Sequence, residues 1–351
     1  MSEIKNMKIA YVYLGKSELP RYVLENLTNT KSKFPHLSFV FISDNPQSLK
    51  SIKKFGIDTW QCSDQETLNS AALNSMDHPM EFRSGFWFNT LARFFALEEF
   101  MESLGEKEIL QIEADVWLSP NFPFKKFENF SEKLAYPMES VGRGAASVLY
   151  IGSLQALKDF NSFCKLELKS LSSATDMTLL GSYCENHPNR VIVLPSGQNS
   201  TFFKDFTPGY ISLEGTSHVS YFGGVFDPLS YGMHLFGVDP KNYRGILKLF
   251  TDTPHHVLAI RRLEFIVVDE ELYVMNNSIS TPIFNLHIHS KNMKIFKNVS
   301  STSEIKRLIA KRKSVEVNRI VWSVFWSASL KKVKKSWKRI PLLFKKLSNH
   351  D

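Results

Sequence analysis

The chain has 351 residues, enough for one large catalytic domain with an appendage or for two small domains. With 43% hydrophobic and 22% charged residues it has the composition of a folded globular protein, which excludes wholesale disorder. The net charge of +8 is concentrated: residues 306–346 carry 14 Lys or Arg against the single acid Glu316, a balance of +13 that leaves −5 for everything else. A mildly acidic body argues against nucleic acid as the partner, because such enzymes carry a basic working face on the folded domain.

The 28 Phe residues fit either a codon-biased genome or an aromatic-rich ligand groove. Cys62, Cys164 and Cys184 are odd in number and widely spaced, so neither a disulfide framework nor a zinc ribbon is expected. The N-terminal residues lack a signal peptide's apolar core, and no run reaches the ~20 apolar residues that span a bilayer. The expected location is the cytoplasm.

In chain order, Lys8 to Leu14 reads as a buried parallel strand, Pro20 to Lys31 as a helix, and Leu37 to Ser43 as a second buried strand ending in the turn signal Asp44-Asn45-Pro46. A third strand closes near Ile57 to Gln61. This opening predicts an α/β domain that binds ligands beyond the carboxyl ends of its strands. No GxGxxG follows the first strand, so a dinucleotide fingerprint is missing. Phe86 to Leu104 is a strong helix stopped by Gly105. Lys107 to Trp117 reads as one central strand running into acids. Further strands are predicted at Ser147–Ile151, Arg190–Leu194 and Phe265–Val268, with a helix over Ser172–Cys184.

Glu113-Ala114-Asp115 stands where the apolar run Ile109-Leu110-Gln111-Ile112 emerges into solvent. Carboxylates two residues apart on an extended chain point to one side. They offer hard oxygen ligands for Mg²⁺ or Mn²⁺ carrying a diphosphate. Alone the pattern is a weak signal, since acids at strand ends are common on solvated loops. In context, Arg93-Phe-Phe-Ala-Leu on a helix followed by Ile-Leu-Gln-Ile-Glu-Ala-Asp-Val-Trp resembles the arginine helix and DxD strand of GT-A glycosyltransferases. These include family-8-like enzymes and the sugar transferases of bacterial capsule and lipopolysaccharide synthesis. The resemblance implies that Arg93 reaches the donor and that Glu113 and Asp115 hold the metal. Glu113 departs from the usual Asp, which makes Asp115 the firmer assignment.

Downstream, Phe284-Asn-Leu-His-Ile-His-Ser-Lys-Asn resembles the C-terminal histidine segment of the same enzymes. By that resemblance His287 or His289 completes the metal site and Lys291 meets the diphosphate. Imidazole suits Mn²⁺ better than Mg²⁺. One His of the pair is equally a packed strand residue. An H-x-H can also be half of a zinc hydrolase site, although no HExxH or CxxC accompanies it.

Two more segments carry candidates. Ala174-Thr175-Asp176-Met177 resembles the acceptor-facing acidic helix start of GT-A enzymes, where Asp176 would act as a base or orient the acceptor. The alternative is that Thr175 or Asp176 only caps the helix. The Gly- and aromatic-rich stretch from Tyr221 to Asn242 suits a sugar-site loop, with Asp227 and, less strongly, His234 as its polar groups; an ordinary Gly-rich loop is the alternative. Tyr11, Tyr13 and Asp44 stand where the family grips a nucleoside. The resemblance spans roughly Lys8 to Phe296.

Beyond residue 300, Trp322, Trp326, Leu330, Val333, Trp337, Ile340, Phe344 and Leu347 recur at steps of three and four, one apolar helical stripe among lysines and arginines. This describes a basic amphipathic helix lying in an anionic membrane interface. A helix docked on the body, a partner-protein helix and a nucleic-acid tail are the alternatives.

The expected architecture is thus a GT-A-like α/β domain with a mixed central sheet over residues 1–300, an acceptor-side segment near 170–245, and a helical tail over 301–351. The expected activity is transfer of a hexose from a nucleoside diphosphate sugar to a glycan or lipid-linked acceptor, at the inner face of a bacterial membrane. A metal-dependent phosphoester hydrolase and a non-catalytic membrane-associated module are the rival readings.

Overall fold

The computed structural model describes residues 7–15, 18–63, 85–140, 142–171, 173–197, 218–237, 264–276, 279–293 and 301–310. The tail stripe from Trp322 onward and residues 238–263 lie outside them.

The first half alternates strands and helices: β1 (Lys8–Val12), α1 (Arg21–Lys33), β2 (Ser38–Ser43), α2 (Pro46–Lys53), β3 (Asp58–Gln61), α3 (Phe86–Leu104) and β4 (Ile109–Ile112). Local chemistry sets several boundaries. Pro46 begins α2 behind Asn45, whose side chain accepts from the Gln47 and Ser48 amides. Gly105, at φ +65°, ends α3 in a left-handed cap that few other residues adopt without strain. The chain continues through β5 (Val116–Leu118), β6 (Leu134–Ser140), β7 (Arg143–Gly144), β8 (Val148–Ile151), α4 (Leu154–Ser170), α5 (Asp176–Asn186) and β9 (Val191–Leu194). It closes with α6 (His218–Phe222), α7 (Ser230–Phe236), the β10–β12 meander (Glu264–Val268, Glu271–Asn276, Ile279–Pro282) and β13 (Asn285–His287). Residues 302–310 are helical.

The central sheet runs β3-β2-β1-β4-β8-β6-β7, with β9 added against β6. The pairs among β3, β2, β1 and β4 are parallel, whereas β8 is antiparallel to both β4 and β6. The sheet is therefore mixed, as expected. Buried strands alternate their side chains between two layers, the consequence of a two-residue period. On β1, Ala10 joins the layer beneath α3, α4 and α5, while Ile9 and Tyr11 join the layer beneath α1 and α2. That second layer absorbs many of the phenylalanines. Phe122, Phe127, Phe222, Phe226 and Phe284 pack in edge-to-face, tilted and stacked pairs, with ring centroids 5.1–6.5 Å apart. These rings build a core, and they do not line a groove.

The sequence reading of Lys107–Trp117 as one strand is corrected. The chain leaves the sheet at Ile112 and turns, with the Val116 amide donating to the Glu113 carbonyl at 2.9 Å. It re-emerges as β5, which pairs antiparallel with β13 in a separate two-stranded ladder. A third apolar layer, including Trp117, Tyr231, Phe265, Leu286 and Ile288, packs the β10–β12 meander behind that ladder. Among the described residues, no helix is long and apolar enough to cross a membrane.

Candidate active site

The Glu113–Val116 turn begins at the carboxyl end of β4, beside the ends of β1 and β2. The ladder then brings in a segment more than 170 residues away. Its register sets His287 opposite Val116, and the Ile288 amide donates to the Asp115 carbonyl at 2.8 Å. As a result Glu113, Asp115 and His287 each present a ligand atom within 4.8 Å of the others. His287 Nε2 lies 3.2 Å from Asp115 Oδ2 and 3.5 Å from Glu113 Oε2.

The other ring nitrogen of His287, Nδ1, faces the Pro228 carbonyl oxygen at 3.3 Å. A carbonyl only accepts, so a proton on Nδ1 is satisfied there, and in that tautomer the Nε2 lone pair is open to a cation shared with the carboxylates. Three ligand atoms within 4.8 Å of one another could share one divalent cation. Two carboxylates and one backbone-oriented imidazole form a donor set that fits Mn²⁺ or Mg²⁺, with Mn²⁺ favoured by the nitrogen. The Lys291 ammonium pairs with Asp115 at the same point. Lys291 itself adopts φ +60°, an uncommon backbone conformation for a residue with a side chain.

Arg93, buried on α3, links two acids: its guanidinium pairs with Glu113 and lies 2.5 Å from Asp176. Burial raises the Glu113 carboxyl, but the positive charges of Arg93, His287 and Lys291 together outweigh it and hold the group below the usual carboxylate range. Burial likewise pushes the Asp176 carboxyl up, here against the opposing charge of Arg93. Thr175 caps α5 through a reciprocal capping box with Thr178, so the capping role belongs to Thr175. Asp176 is free of that role but is buried against Arg93. Its position suits holding the arginine and does not suit reaching an acceptor.

Asp227 is not aimed at a ligand. It is fully buried, and its carboxylate accepts from the amides of Tyr231 (2.9 Å), Gly232 (2.8 Å) and His287 (2.9 Å). Burial pushes its carboxyl up to about 6 against those three donors. The residue clasps the start of α7 to β13 and thereby fixes His287, a positioning role where a sugar-site contact was expected. His234 stacks on Phe265 with centroids 5.6 Å apart, in the packing of the third layer. His289 stands next to His287 with ring centroids 5.2 Å apart, but it is not part of the three-ligand group.

The nucleoside assignments divide. Tyr11 has no exposure and packs in the layer under α1, so it cannot stack on a base. The resemblance placed it among the nucleoside-gripping residues, but the two-residue period of β1 turns it inward. Tyr13 and Asp44 do follow β1 and β2 on the sheet edge that carries Glu113, and Asp44 accepts from the Gly15 amide at 2.9 Å.

No protein-family model matches the chain, and no curated protein matches it. Among solved structures it is similar to mouse xyloside xylosyltransferase 1 in its apo form, at 15% identity and TM-score 0.37 over 62% of this chain and 93% of that one. It is also similar to the galactosyltransferase LgtC in complex with donor and acceptor sugar analogues, at 12% identity and TM-score 0.39 over 60% and 82%. A third is a glycosyltransferase involved in glycosylating the major capsid of PBCV-1, at 12% identity and TM-score 0.31 over 61% and 96%. These are partial likenesses of fold, and the chemistry rests on this chain's own residues.

Proposed function

We propose that the protein is a metal-dependent GT-A-type glycosyltransferase that moves a hexose from a UDP-linked sugar to a glycan or glycolipid acceptor in bacterial surface polysaccharide synthesis. The observation that carries this reading is the meeting of Glu113, Asp115, His287 and Lys291 at the carboxyl edge of the parallel strands.

Glu113, Asp115 and His287 would hold a divalent cation, which supplies positive charge to the oxygens of a departing diphosphate. Lys291 adds a second positive charge from the same side. Arg93, fixed between Glu113 and Asp176, keeps Glu113 ionised and presents its guanidinium next to the metal ligands. Tyr13 and Asp44 offer a ring and a carboxylate to the nucleoside at the neighbouring strand ends. In the transfer, the bond from the anomeric carbon to the β-phosphate oxygen breaks. The acceptor hydroxyl oxygen forms the new bond, and its proton passes to the released diphosphate. The basic tail beyond residue 310 would hold the enzyme at an anionic membrane bearing a lipid-linked acceptor.

The test is turnover of a panel of nucleotide sugars with Mn²⁺, scored for nucleoside diphosphate release with and without glycan acceptors. Acceptor-stimulated release supports sugar transfer. Cleavage of simple phosphoesters without any sugar acceptor would instead identify a hydrolase. Removal of residues 319–351 should abolish sedimentation with anionic vesicles and spare turnover on a soluble acceptor.

A further inference from the structure

The turn that carries both metal-ligating carboxylates is held from behind by one amide side chain. Asn26, buried in the middle of α1, donates from Nδ2 to the Val116 carbonyl at 2.7 Å and to the Ala114 carbonyl at 3.1 Å. These are the carbonyls on either side of Asp115. The Asp115 carbonyl is taken from the opposite side by the Ile288 amide. Three successive peptide oxygens are thus fixed by two unrelated elements. Both acceptors at Asn26 are carbonyls, so the NH₂ end of the amide must face the turn. Its Oδ1 is buried and has no hydrogen-bond partner among the described residues. A buried amide oxygen without a partner is costly. Asn is also a poor residue for a helix interior. Neither cost brings a return within α1 itself. The return is at the turn.

We infer that Asn26 is a positioning residue for the metal site, setting the direction of the Asp115 carboxylate through the Ala114 and Val116 carbonyls. It touches neither metal nor substrate. The inference rests on the proposed metal site and assigns a residue that supports it. Partners one shell beyond metal ligands typically cost 10–100-fold in metal affinity when removed. A β4–β5 turn released from α1 lets Asp115 rotate away from His287, whose own position is fixed separately by Asp227.

The experiment is a Mn²⁺ titration of the full chain followed by electron paramagnetic resonance, which needs no turnover. Asn26→Leu removes the donors at similar volume. Asn26→Ser, which admits water to the two carbonyls, serves if the leucine variant does not fold. Thr30→Val is the control: it deletes a buried hydroxyl one turn along α1 whose bond goes to the Asn26 carbonyl (2.9 Å) and not to the turn. The expected result is a Kd for Mn²⁺ raised about tenfold or more in the Asn26 variant, with Thr30→Val unchanged in Kd at a comparable loss of Tm. Equal Kd in wild type and Asn26 variant would overturn the inference while leaving the metal site standing. No Mn²⁺ binding by the wild type would overturn the metal site and the inference with it.

Discussion

A methyl group placed on Gly232 would lie 1.9 Å from the carbonyl oxygen of His287. Helix α7 therefore touches β13 backbone to backbone, at the residue whose imidazole faces Glu113 and Asp115. Gly232 also donates its amide to Asp227, which holds the His287 amide. Gly232→Ala should push β13 away, because a peptide carbonyl cannot yield as a side-chain tip can. The expected loss of stability is about 1–3 kcal/mol, accompanied by weaker Mn²⁺ binding in the same sample. Denaturant melts and calorimetric titration measure the two together.

The two histidines separate by geometry. His287→Gln should abolish or severely weaken Mn²⁺ binding, since it removes the Nε2 donor held 3.2 Å from Asp115. His289→Gln should leave the Mn²⁺ Kd within about twofold, a difference under ~0.5 kcal/mol.

Much of the layout was legible in the sequence, for reasons that mark where the rest was not. Apolar runs bounded by turn residues gave β1, β2, β4 and β8, and Gly105 gave the end of α3. The roles given to Arg93, Glu113, Asp115 and the His287/His289 pair came from the resemblance of two short motifs, in their order, to GT-A enzymes. The turn at Glu113 was illegible because Ile109–Trp117 is apolar enough to be one strand, and only the β13 partner ends it. Tyr11 was misplaced because the direction of a side chain depends on register with β2 and β4. Asp227 looked like a ligand-facing acid because a carboxylate in a Gly-rich loop carries no sign that backbone amides occupy it. Asn26 had a faint signal, an amide in the interior of a helix.

Lys291 should give opposite signs in two titrations. Its ammonium offsets the charge of Asp115 at the point where a metal would sit. Lys291→Met should therefore tighten Mn²⁺ binding several-fold without nucleotide, while weakening nucleoside diphosphate binding about tenfold, or ~1.4 kcal/mol. Nucleoside binding should hardly change. Parallel losses in all three titrations would mean that Lys291 only supports the loop.

Lys33 provides a pH test of the support behind β5. Its ammonium donates to the Leu118 carbonyl at 2.6 Å and lies 4.1 Å from the Trp117 ring centroid. Burial pushes its pKa down from 10.5 to about 8. The folded state thus releases this proton at lower pH than the unfolded state, so stability rises between pH 8 and 10.5 and falls back as pH drops through 8. Against Lys33→Met, the wild type should gain about 1–2 kcal/mol across that window, a value discounted for partial exposure. Urea melts at pH 7.5 and pH 10 would show it, and an unchanged difference would refute the burial effect.

The most direct measurement is calorimetric binding of UDP-sugars with Mn²⁺ and with chelator, for wild type and for Asp115→Asn. Asp115→Asn keeps the side chain's size and removes one charged ligand. The expected result is Mn²⁺-dependent donor binding by the wild type, its loss in Asp115→Asn, and retention of the folded circular-dichroism spectrum in both. Donor binding that ignores chelator, or an Asp115→Asn protein that binds metal and donor as the wild type does, would contradict it.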